Sequence, residues 1–250
     1  MKKFLILILV FIVLAPSAVI AQSDFLAKRD LYINAQKTFT STRRSYLNNQ
    51  TLQLRDLLAG HLREFLYARN DLLISYFSDL LDQAEDYLVQ ADFETVSFWQ
   101  KYLTEQNQQI VSETSLVNMI TLADGFSTKY PEMNTDTNKA LVMLTIAQQS
   151  AIIKRIELFQ LKVAQGLITN ATDKDLIVIW LQEVGRKLST ARTSQDSAKE
   201  LLSKMRPIRG DAKTSTELTK IKSELAVADG KIKEALSYLD EIVKRIEDNG

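Results

Sequence analysis

The sequence predicts an all-α fold: an elongated antiparallel bundle of five to six long helices with a coiled-coil-like C-terminal helix. Three observations carry this. Of 250 residues only seven are glycine and three proline, where average usage would supply roughly 17 and 12, so breaks are few and the segments between them long. Between the breaks, apolar residues recur at the three- and four-residue spacing of a helix buried along one face. Finally, Leu218, Ile221, Leu225, Ala228, Ile232, Ala235, Leu239, Ile242 and Ile246 alternate three and four without a miss, the register of helices packed along a seam.

The chain opens with Met1-Lys2-Lys3, an unbroken apolar run from Phe4 to Ala15, then Pro16 and the small-residue stretch Ser17 to Ala21. A cationic start, an apolar centre and small residues before a cut are the parts of a secretory signal peptide. Residues 1–21 are therefore expected to be removed, leaving Gln22 as first residue and an extracytoplasmic location: secreted, periplasmic or cell-surface. The competing reading is an uncleaved N-terminal anchor, for which Phe4–Ala21 is just long enough. Lipid attachment at cysteine is excluded, because the chain has no cysteine. Residues 22–250 are expected to form a single helical-bundle domain, with a subdivision near Pro131.

The first segment has Phe25, Tyr32, Phe39 and Tyr46 every seven residues, but its companion positions are Lys28, Ala35, Thr42 and Asn49. That seam is narrow, which suits a helix at the edge of a body. Asn48-Asn49-Gln50-Thr51 either breaks it from the next helix or is read through, giving one helix over 24–90. A second stripe passes through Leu54, Leu58, Leu62, Phe65, Leu72, Tyr76, Leu80 and Ala84. Asp92 is placed as the cap of a third helix carrying Phe93, Val96, Trp99, Leu103, Ile110, Leu116 and Ile120, with its stop at Lys129-Tyr130-Pro131.

A fourth helix is expected from about Thr137 to Gln165, with Gly166 as its stop. Thr172 and Asp175 resemble a capping box for a fifth. Its apolar run Leu176–Leu181 is read as buried helical turns rather than a strand, because Val184 and Leu188 continue the period. In the last helix Ala228 and Ala235 let a neighbour approach closely. Leu236 and Val243 widen the stripe, which predicts at least two neighbouring helices.

Chemistry is conspicuous by what is excluded. Without cysteine and with a single histidine, there is no disulfide, cysteine nucleophile or multi-histidine metal site. No cofactor or metal is expected, and no G-x-S-x-G frame presents a serine to His61. Charges balance at 31 basic and 31 acidic, which gives no reason to expect nucleic acid. The balance is uneven along the chain. Residues 22–69 hold eight basic and four acidic groups and residues 70–130 two and ten, blocks that would neutralise each other in an antiparallel pair or leave a basic end facing anionic lipid or wall polymer.

Candidate ligand or interface residues are Trp99, Phe98 and Tyr102, the densest aromatic cluster, and His61 beside Gly60. Asp79, Asp82 and Asp86 share a helical face and read as solvated. Arg209-Gly210-Asp211 matches an adhesion tripeptide but reads as a turn and helix cap. The seam residues Leu218 to Ile246 are the candidate helix–helix interface. The chain is therefore expected to be an exported, non-enzymatic bundle acting through protein–protein or cell-envelope contact, with homo-oligomerisation through the final helix as one route. The alternatives are an extracytoplasmic ligand-sensing or carrier bundle, and a peripheral membrane protein touching lipid through residues 22–69.

Overall fold

The structure, a computed structural model, describes residues 21–87, 93–166, 174–205 and 212–248. These form six helices and no strand: α1 (Ala21–Asn48), α2 (Leu52–Asp86), α3 (Glu94–Ser112), α4 (Leu116–Gly166), α5 (Lys174–Lys204) and α6 (Ala212–Asp248). The all-α helical bundle is the fold the composition and periodicity call for. The signal segment, the Asp92 and Thr172 caps, and the Pro207–Asp211 loop lie outside the described residues. Contacts gather into two compact units, one up to Thr137 and one from Asn138.

In the first unit, side-chain partners fix the directions. Phe25 meets Tyr76, Tyr32 and Phe39 both meet Phe65, and Thr42 meets His61, so α2 partners retreat as α1 advances. Gln100 with Ser78, Gln106 with Asn70, and Glu113 with Arg63 set α3 against α2 in the same antiparallel sense. Trp99 with Asp136 and Gln106 with Leu122 do so for α3 and α4. The core has Ala59, Leu62 and Leu66 of α2, Ile110 of α3 and Met119 of α4, with Phe39 and Phe65 against it.

Residues 24–90 are not one helix. Thr51 caps α2 by accepting a hydrogen bond from the Leu54 N–H at 3.2 Å, satisfying one of the amides a helix start leaves free. The α1 seam is as narrow as its sequence: only Thr42 is buried among the described α1 side chains.

Two expected boundaries are corrected. The third segment ends at Ser112, and a new helix starts at Leu116, inside the apolar stripe that Leu116 and Ile120 were expected to continue. Polar side chains make that break. The Glu113 carboxylate accepts from the Thr114 and Ser115 amides and from Asn118, which holds its pKa below the usual range. The Arg63 guanidinium donates to the Glu113 carbonyl at 2.6 and 3.0 Å.

The expected stop at Pro131 is absent, because α4 continues through it. The carbonyls around this residue are engaged by hydroxyls one turn on: Thr128 donates to Asp124, Thr135 to Pro131 and Thr137 to Met133.

In the second unit the core has two layers. Val142 and Ile146 of α4 sit with Ala198 and Leu202 of α5 and Ile221 and Leu225 of α6. Further along, Ile153, Ile156 and Val163 sit with Ile177, Val184 and Leu188 and with Ala228 to Ile242. Hence α4 and α6 run parallel and α5 antiparallel between them, a three-helix bundle. Leu176–Leu181 is helical, as its continued period requires, with Ile177 fully buried.

The α6 seam from Ile221 to Ile242 is buried against these two helices, with Leu218 and Ile246 partly covered at its ends. The two neighbours that the wide stripe calls for are thus α4 and α5 of the same unit. Asp229–Lys233 and Asp240–Lys244 pair on the outward side, each at 2.7 Å.

Candidate functional site

The aromatic cluster is brought together, with its largest member closed off from solvent. Trp99 meets Phe98 and Tyr102 edge-on, with centroids at 5.0 and 5.8 Å. Its indole is buried, and Nε1 donates to the Asp136 carboxylate at 3.0 Å. Of the three, Phe98 is exposed and Tyr102 half-buried. His61 is occupied as well: Nδ1 lies 2.7 Å from the Thr42 hydroxyl, so it pins α1 to α2. Among the described residues no group of three potential ligands stands ready for a metal ion, and the Asp79–Asp86 face is a carboxylate-rich surface.

Two features stand out instead. The first is the end of the α1–α2 hairpin. Arg63 reaches the α3–α4 turn, whereas α2 begins eleven residues earlier at Leu52, roughly 16 Å further along at 1.5 Å per residue. Between 43 and 57 every side chain except Tyr46 and Leu54 is exposed, including Leu47 at 61%, Leu52 at 65% and Leu57 at 47%. Over 37–63 the five cations Lys37, Arg43, Arg44, Arg55 and Arg63 face a single acid, Asp56. Lys28 and Asp71 make the ion pair, at 3.6 Å, that joins the basic block to the acidic one. It sits far from this end, so the hairpin tip stays basic.

The second is a cleft of about 510 Å³ lined by Phe39 and Arg43 of α1, Leu58, Leu62, Phe65, Leu66 and Arg69 of α2, and Leu116, Ile120, Asp124 and Phe126 of α4. Arg69 is its unusual member. The guanidinium carbon stands 3.4 Å above the Phe126 ring centroid, a cation–π contact that favours the flat arginine cation. Nε and Nη2 donate to Asn70 Oδ1 at 3.0 and 2.8 Å, and Nη2 also reaches Gln106 Oε1 at 3.3 Å.

The network behind it is fixed: Asn70 Nδ2 donates to Gln106 Oε1 at 2.9 Å, and Gln106 Nε2 to the Leu122 carbonyl at 3.1 Å. Among the described residues no carboxylate pairs with Arg69. Burial without a counter-charge penalises the cation and brings its pKa down to about 10. Burial likewise pushes the neighbouring Tyr102 hydroxyl up, against the pull of Arg69.

Sequence reasoning missed this group because it reads polar residues as surface. Yet Asn70 falls on the spacing Leu62, Leu66, Asn70, Phe77, Leu80, Ala84, all of them buried. A polar residue in an apolar register was the available signal.

The fold defines an all-α helical-bundle protein. No protein family, curated protein or solved structure matches the chain.

Proposed function

We propose that this is an exported, non-enzymatic bundle that acts at an anionic envelope surface, which it meets with the end of the α1–α2 hairpin. The observation that carries the reading is the exposure of Leu47, Leu52 and Leu57 among Arg43, Arg44 and Arg55 at the turn between α1 and α2. Leucines and arginines together suit the boundary between acyl chains and anionic headgroups. Each basic side chain near such a surface is worth about 1 kcal/mol and each fully buried leucine about 1.5–3 kcal/mol. Three leucines and a few arginines therefore suffice for reversible attachment. Export is the meaning of the Met1–Ala21 segment.

Among the described residues no helix is long and apolar enough to cross a membrane, so the contact is peripheral in this reading. Co-flotation with vesicles tests it. The protein should float with phosphatidylglycerol-containing vesicles and not with phosphatidylcholine alone, and high salt should release it. Leu47→Ser, Leu52→Ser and Leu57→Ser together should abolish flotation at unchanged helicity. Failure to float with anionic vesicles, or flotation indifferent to lipid charge, overturns the reading.

A further inference from the structure

We propose that the cleft of the first unit binds an amphipathic monoanion, a single-chain acyl carboxylate, with its head on Arg69 and its chain along Phe39, Leu62, Phe65 and Ile120. The head site follows from the hydrogen-bond inventory of one guanidinium. Of its five N–H groups, those on Nε and Nη2 supply all the bonds to Asn70 and Gln106. Nη1 donates to nothing among the described residues. It is not sealed off either, because Asn107 Oδ1 is the one buried side-chain polar atom there without a partner.

Arg69 lines the cleft and brings it a charged group that is held in place through Nε and Nη2, with Nη1 left to donate. Its other contacts are neutral amides and an aromatic face, none of which cancels the charge. An incoming carboxylate would supply the missing counter-ion in surroundings that strengthen the pair. Asp124 shares the cleft but is outnumbered by Arg43 and Arg69, leaving one positive charge for a monoanion.

The chain site follows from the lining and the volume. About 510 Å³ of mainly apolar wall falls within the usual 300–1,000 Å³ of small-ligand pockets. A partner helix about 10 Å across would fit little more than one turn into it, whereas a flexible acyl chain can follow the groove. Ile120, 47% exposed, forms part of its open side.

Calorimetric titration of the purified protein with decanoate, with decanol and butyrate as controls, tests the proposal. Decanoate should bind saturably at one per chain. Decanol, lacking the charge, and butyrate, lacking the chain, should each bind at least tenfold more weakly. Arg69→Met should weaken decanoate at least tenfold. Ile120→Glu, at an exposed position that leaves the fold intact, should do the same at unchanged helicity by setting a like charge in the groove.

Absence of saturable decanoate binding, equal affinity for decanol, or full affinity in Ile120→Glu overturns the proposal. The triple serine variant of the hairpin end should keep decanoate binding, so this site and the envelope contact can fail separately.

Discussion

At the scale of the residue, the first unit contains a cation held by neutral groups. Asn70 is fully buried and its Oδ1 accepts twice from Arg69, while its Nδ2 donates to Gln106. Asn70→Leu keeps the volume near constant but removes two hydrogen bonds from Arg69 and one from Gln106. Hydrogen bonds to a charged group are worth about 1.5–3 kcal/mol, so a loss of roughly that size is expected in urea denaturation followed by circular dichroism. Asn70→Asp should instead give Arg69 a counter-charge of its own and so weaken decanoate binding, while the oxygen that replaces Nδ2 loses the bond to Gln106. Little of this site was legible in the sequence. His61 and Trp99 drew attention by rarity and size, yet rarity says nothing about contacts: one bonds Thr42 and the other Asp136. Arg69 matters because of Phe126, a residue on another helix that only the fold brings near.

At the scale of the element, propensity and tertiary context compete most openly in α4. Proline inside a helix removes a hydrogen bond and crowds the preceding turn, at a cost of about 3 kcal/mol. Packing of Phe126, Met133 and Ala140, all buried along α4, outweighs it. Pro131→Ala should restore the missing amide donor and raise stability by about 1–2 kcal/mol, the gain being trimmed by the freer unfolded chain. Thermal unfolding of the variant beside the parent measures it.

The same competition explains which boundaries could be read. The α6 seam was legible because apolar residues fill every position of a strict repeat and α4 and α5 cover them. The Ser112–Ser115 break was not, since Leu116 and Met119 resume an apolar spacing directly after it and only side-chain bonds from Glu113 and Arg63 mark the turn.

Electrostatics between α5 and α6 adds a pH dependence. Glu234 is gripped by Lys187 of α5 and Lys231 of its own helix, which hold its pKa at about 2. A carboxylate whose folded pKa is depressed contributes stability above its ordinary value of 4.5, and loses that contribution as pH falls from 4.5 toward 2. Glu234→Gln should therefore flatten the fall of the urea midpoint between pH 5 and pH 3. Because the pair is partly exposed, added salt should shrink the difference between variant and parent.

At the scale of the whole molecule, the contact pattern divides the chain between Thr137 and Asn138, within α4 and close to Pro131. The second unit has the ingredients of an independent folding body. Its two core layers draw on all three helices. A buried polar bridge ties them too: Gln149 donates to the Leu225 carbonyl at 3.0 Å and accepts from Gln195 at 3.2 Å. Cutting after Thr137 severs backbone hydrogen bonds of α4, but a helix start loses only its first-turn amides to water. The layer of Val142, Ile146, Leu202 and Leu225 lies within the first turns after the cut. A body of just over a hundred residues with its own core is large enough to fold alone. Residues 138–250 expressed alone should give a helical spectrum and a single cooperative thermal transition, and Gln149→Ala should lower that transition by leaving Gln195 short of a partner. A fragment that is helical but melts without cooperativity would mean that the core needs the first unit to set its packing, and the division at Asn138 would then be one of contacts and not of folding.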